Sequence, residues 1–233
     1  GKQFLPYARR LLATHDDGLQ QLVRWQQGYE RKLTLAVSPL IAASRLPYWI
    51  RDYTKHHPQT EVIVQVAESS EISARVEKND ADLGLSLMKS VQPGISCEKL
   101  FEDPMLCVAP HDGGDMESSP PLDFEALVAD QLLFTHNHPV FWDDLLTELR
   151  RRGLPHRTMV VSQVHVTKRF IEEGLGFSFL PKSAVQRELL EGRMLEVDVR
   201  GFENPPAATY VICGPQHEEA QKFRAFLREH FGG

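Results

Sequence analysis

In the first 32 positions Leu5, Ala8, Leu12, His15, Leu19, Leu22 and Gln26 alternate by three and four, the spacing of a coiled-coil seam. Pro6 falls in the first turn of such a helix, where its missing N–H costs nothing, and Gly28 closes the run. The apolar line is narrow and polar residues flank it closely. The segment therefore reads as a linking or dimerising helix rather than one packed on its own domain.

From Leu33 the period changes. Short apolar runs of strand length alternate with helical stretches: strands at Leu33–Val37, Glu61–Ala67 and Asp82–Leu87, with helices from Ser38-Pro39 to about His57 and from Ser69/Ser70 to about Lys78. Further strands are predicted at Ile95–Leu100 and Met105–Ala109. The order predicts a parallel sheet covered on both faces. A polar stretch, Pro110–Pro121, reads as a crossing segment. A second set follows: strands Leu132–Thr135, Thr158–Val161 and Phe177–Leu180, with helices Pro139–Arg152, Val164–Glu173 and Lys182–Glu191. Asn204-Pro205-Pro206 marks a second crossing, before strand Thr209–Cys213 and helix His217–His230. The fold class is α/β: a clamshell of two α/β lobes joined by two crossing segments and preceded by a linker helix. The expected division is residues 1–32 for the linker, 33–109 with 207–233 for lobe I, and 110–206 for lobe II.

Composition narrows the class. Of 233 residues 42% are hydrophobic and 25% charged, a globular balance rather than a disordered one. No apolar run approaches the ~20 residues of a membrane helix, and no export signal is visible. Cys97, Cys107 and Cys213 are odd in number and scattered, which fits a reduced, cytoplasmic setting better than a disulfide scaffold. Residues 1–32 carry six basic against three acidic side chains, whereas the rest carries 20 against 29, a net of −9. An acidic body is a poor electrostatic match for nucleic acid.

The chemistry lies where helices begin. Ser38 precedes Pro39, a helix N-cap followed by proline. Ser69 and Ser70 open the next helix, Thr135, His136, Asn137 and His138 precede Pro139, and Ser162-Gln163 precede the helix holding His165. All four starts follow strands, the end of an open α/β sheet where ligands bind, and helix N-termini favour anions. His136 and His138 share a strand face, but no third ligand has regular spacing, so no metal is expected. Nucleophile elbow, phosphate loop and dinucleotide fingerprint are all missing, so no enzyme and no cofactor are predicted.

Several stretches resemble the regulatory region of LysR-type transcription regulators: FLPYARRLL, KLTLAVSPLIAASRLP, NDADLGLSL, FEDPMLCVAPHD and FIEEGLGFSFLP, in that order. LLFTHNHPVFWDDLL and HVTKRFIEEGLGFSFLP are similar to its citrate-linked branch. The resemblance implies a type II periplasmic-binding-protein fold and a homodimer or homotetramer, with no membrane partner. DNA would be bound through a helix-turn-helix domain preceding this chain. The implied effector is a small carboxylate, citrate leading, held by Ser38, Leu40, Ser69, Ser70, Thr135, His136, His138, Val164 and His165. A citrate cleft should offer guanidinium groups, yet only Lys89 and Arg200 suggest themselves. The rival readings are a periplasmic-type solute-binding protein and a small enzyme on the same fold.

Overall fold

The structure, a computed structural model, describes residues 2–111, 122–139, 142–199, 201–202, 205–215 and 217–231. Two five-stranded sheets form two lobes. The first contains β1 (Arg31–Val37), β2 (Thr60–Val66), β3 (Leu83–Ser86), β4 (Ser96–Asp103) and β10 (Ala207–Cys213), in the order β2-β1-β3-β10-β4. The second contains β5 (Met105–Pro110), β6 (Leu132–Thr135), β7 (Arg157–Val160), β8 (Gly176–Pro181) and β9 (Met194–Val197), in the order β7-β6-β8-β5-β9.

Helices cover both faces of the first sheet, as the unbroken burial of Leu33–Val37 requires. On one face α3 (Leu46–His56) and α9 (Glu218–Phe231) bring Trp49, Tyr53, Phe223 and Phe226 together; on the other α4 (Ser69–Glu77) packs Ile72 and Val76 on Ala36 and Ile212. In the second lobe α5 (Phe124–Asp130) and α6 (Trp142–Arg151) cover one face, while α7 (Val164–Glu172) and α8 (Lys182–Leu190) cover the other. The turn into β8 needs two glycines. Gly174 has φ +75°, and a Cβ on Gly176 would stand 2.2 Å from the Leu132 carbonyl oxygen on the neighbouring strand.

Four expectations change. The sheets are mixed, not parallel: β10 runs antiparallel to β3 and β4, and β5 antiparallel to β8 and β9. These strands enter from the other lobe instead of by a helical crossover within their own sheet, so nothing holds them parallel. The helix over Ser38–His57 is two, α2 (Pro39–Ser44) and α3, because Pro47 has no N–H to continue the ladder. The strand Met105–Ala109, grouped with lobe I, pairs in the second sheet as β5. The chain therefore crosses at Pro104, whose carbonyl oxygen accepts from Lys182 N at 2.8 Å. Finally, α5 and β9 carry no periodic signal strong enough to predict them. Most of the Pro110–Pro121 stretch, Arg200 and Asn204 lie outside the described residues.

Helix α1 (Leu5–Gln26) runs 22 residues without burying one, and Leu5, Leu12, Leu19 and Leu22 of its seam are all exposed. No helix among the described residues is long and apolar enough to cross a membrane.

Candidate functional site

Between the lobes, beyond the carboxyl ends of β1, β2, β3, β6 and β7, lies a cavity of about 510 Å³. That is the size and position of a small-molecule site in an α/β protein. The start of α2 contributes Ser38, Pro39 and Leu40; the start of α4 contributes Glu68, Ser69 and Ser70. Leu87 and Met88 follow β3, and Ser162 follows β7. From the second lobe come His136, Asn137, His138 and Pro139, then Trp142, Asp143 and Asp144 of the first turn of α6.

Six of the nine expected contacts line this cavity: Ser38, Leu40, Ser69, Ser70, His136 and His138. Thr135 does not; it is buried beneath, with Oγ1 2.9 Å from His136 Nδ1. Val164 packs with Leu40 and Phe134 in an apolar cluster, and His165 is exposed away from the lining. A helix start supplies its neighbouring core as readily as its site.

Ser38 is the most informative residue. Its backbone is extended, with φ −64° and ψ 148°, and its carbonyl oxygen accepts from Ala42 N, as an N-cap should. Its side chain makes no cap bond, contrary to expectation, and the Oγ is buried without any partner. Ser69 is spent structurally: its Oγ accepts from Leu87 N at 3.3 Å, tying the start of α4 to the exit of β3.

On the other wall His136 adopts φ +63°, a left-handed conformation that turns the chain from β6 towards α6. Asn137 follows, buried, with Nδ2 donating to Ser178 Oγ at 3.0 Å; that hydroxyl donates to the Phe134 carbonyl oxygen at 2.8 Å. Asn137 Oδ1 has no partner. His138 is buried under Trp142, whose indole N–H donates to the His138 carbonyl oxygen at 3.1 Å. Burial holds the His138 imidazole well below its ordinary range, at about 4, against the raising effect of carbonyl oxygens of Pro139 and Phe179 near its ring nitrogens.

The charge of the lining was not foreseen. Glu68, Asp143 and Asp144 are present, and no lysine or arginine is among the described residues of the lining. Lys89 is exposed beside Met88 but outside the lining. The carboxylates stand at the starts of α4 and α6, where they offset the helix dipoles. Donors available to an anion are therefore hydroxyl, imidazole and backbone N–H groups. Among the described residues no group of three histidine, cysteine or acidic side chains is arranged to hold a metal ion.

Residues 26–232 match the family model of the LysR substrate binding domain. The chain is 43% identical over 231 residues to the HTH-type transcriptional regulator CitR of Bacillus subtilis (strain 168), covering 99% of this chain and 79% of that protein. It is 32% identical over 230 residues to the uncharacterised HTH-type regulator YxjO of the same organism, covering 98% of this chain and 77% of that one. Among solved structures it is similar to the Synechocystis PCC6803 CcmR regulatory domain in complex with 2-PG, with TM-score 0.69, 17% identity, and coverage of 87% of this chain and 98% of that one. It is also similar to full-length CbnR complexed with its target DNA, with TM-score 0.71, 18% identity, and coverage of 98% and 81%.

Proposed function

The chain belongs to the LysR family of transcription regulators, as its effector-binding domain, and from that premise we propose that a small carboxylate, citrate leading, binds between the lobes and controls a DNA-bound oligomer in the cytoplasm. The observation that carries the site is the buried, unpartnered Ser38 Oγ in the wall of the interlobe cavity. A carboxylate oxygen would accept from it, and Ser70, His136 and the N–H groups opening α4 and α6 surround the same space. Similarity to CitR selects citrate among carboxylates. Thr135 and His138 would hold His136 and Trp142 in place. Val164 and His165 are left out of the revised set. The relatives are named regulators, and the chain is not an enzyme.

Calorimetric titration with citrate and a panel of di- and tricarboxylates tests the reading. Saturable binding of at least one below millimolar concentration is expected. Silence across the panel would remove the assigned effector class.

The linker seam, with no residue buried along its length, is the proposed dimerisation element, joined by the outer faces of α3 and α7. Removing residues 1–28, which stops short of β1, should lower the dimer's sedimentation coefficient toward that of a monomer at micromolar concentration, without unfolding either lobe. An unchanged dimer would show that the lobes alone associate.

DNA affinity is assigned to a reading head outside these residues, since phosphate neutralisation dominates non-specific binding and the body beyond residue 32 carries −9. This chain alone should give no shift in fluorescence anisotropy with duplex DNA at low salt. Binding that weakens steeply with added salt would contradict the assignment.

A further inference from the structure

We infer that Asn137 selects an effector carrying a hydrogen-bond donor as well as its carboxylate, so that a hydroxy acid is preferred over its deoxy analogue. The inference rests on the carboxylate reading above and adds a rule within it.

It starts from the orientation of one amide. Ser178 Oγ lies 2.8 Å from the Phe134 carbonyl oxygen, which can only accept, so the single hydroxyl proton of Ser178 is committed there. Toward Asn137, 3.0 Å away, Ser178 Oγ can then only accept, so the Asn137 group facing it must be the amide nitrogen. The alternative flip would set two acceptors against each other. Oδ1 therefore points away from the pair, in a side chain that is buried, lines the cavity, and finds no partner for this oxygen.

An unpaired carbonyl oxygen demands a donor. An ionised carboxylate has none to give. Ser38 Oγ, buried and unpartnered in the same cavity, has a proton for a carboxylate oxygen. The pair is thus complementary to a ligand that offers both an acceptor and a donor, as a hydroxy or amino acid does. The acidic lining of Glu68, Asp143 and Asp144 sharpens this, because it opposes any anion whose binding rests on charge alone. Sites built to bond a ligand hydroxyl reject the analogue without it, since their own buried group is then left unpaired.

The test titrates the chain with two matched pairs: citrate against tricarballylate, which lacks only the hydroxyl, and malate against succinate. Aspartate is added as the ammonium-bearing arm. The donor-bearing member of a pair should bind about tenfold to a hundredfold more tightly, and Asn137→Ala should lower that ratio to near one. Tight binding of aspartate with weak binding of citrate and malate also supports the rule, and identifies the donor as an ammonium. Equal affinities within both pairs, or a ratio that survives Asn137→Ala, would overturn the inference and leave the carboxylate reading standing. If nothing in the panel binds, the carboxylate reading fails and the inference goes with it. Unfolding of Asn137→Ala in urea is measured alongside, and Ser178→Ala, which removes the acceptor that fixes the amide's orientation while Asn137 keeps its size, should also lower the ratio.

Discussion

Ser38→Ala is expected to leave the ligand-free domain at least as stable as before while weakening the carboxylate effector about ten- to a hundredfold. A serine before the first helical residue ordinarily caps the helix, and its loss costs ~1 kcal/mol. Here the cap bond is missing, so that cost does not arise. The Oγ is instead a buried hydroxyl without a partner, a condition that costs roughly 1–3 kcal/mol relative to a satisfied group. Alanine removes it. In the complex the same hydroxyl donates to a carboxylate, an interaction of about 1.5–3 kcal/mol, which is the tenfold to hundredfold loss. Urea unfolding and calorimetric titration of one preparation read both effects. Loss of more than about 1 kcal/mol of stability would mean that the hydroxyl does cap α2 in solution, and unchanged affinity would move the effector elsewhere in the cavity.

Such an opposition of stability and binding was not legible in the sequence, and the reason is physical. Ser38 before Pro39 looks like a cap because residue type and spacing are all that a chain displays; whether Oγ turns toward the helix or the cleft is decided by packing. The fold was more legible, because its evidence is local. Leu33–Val37 reads as a strand buried on both faces, and is one. Pro47 was visible, yet its break between α2 and α3 was overridden by the apolar pattern running through both. Strand partners were not legible. That β5 joins the second sheet and β10 returns to the first depends on pairings across about 70 residues or more, such as Met105 with Pro181 and Cys213 with Leu83. The site divides in the same way. Helix starts after strands pointed to Ser38, Ser69, Ser70, His136 and His138, since the rule joining strand ends to ligands is one of topology. They also pointed to Ser162, which lines the cavity, whereas Val164, implied by the resemblance alone, packs in the core. Asn137 shows no role in the sequence, because its orientation is set by Ser178, 41 residues away. Asp143 and Asp144 were hidden by their ordinary place in a first helical turn, where acidic residues need no further explanation.

Stability should fall as the pH drops from about 6.5 to about 4, and His138 should account for up to about 3 kcal/mol of that loss. Its imidazole is buried, and burial penalises the cation more than the nearby Pro139 and Phe179 carbonyl oxygens favour it, holding its folded pKa at about 4. An unfolded histidine titrates near 6.5. Above that value both states are neutral and pH has no leverage through this residue. Between the two values the unfolded chain takes up a proton that the folded one refuses, so protons pull the equilibrium toward unfolding. Each pH unit in that window costs about 1.4 kcal/mol, and the effect is complete below about pH 4. Carboxylates titrate at the lower end of the same window, so the informative interval is pH 6.5 to 5, over which His138 alone contributes about 2 kcal/mol. His138→Gln cannot titrate and should show a shallower slope there by nearly one proton, whatever its absolute stability. Urea unfolding of both proteins at pH 7, 6.5, 6, 5.5 and 5 measures the difference directly. Parallel curves would mean that the folded protein accepts the proton, with both ring N–H groups donating to the Pro139 and Phe179 carbonyl oxygens that lie 3.3 Å from them. The consequence for function has the same sign. Protonation of His138 would set a cation under Trp142 in the cavity wall, so acid should loosen the very element that carries His136, Asn137 and the start of α6.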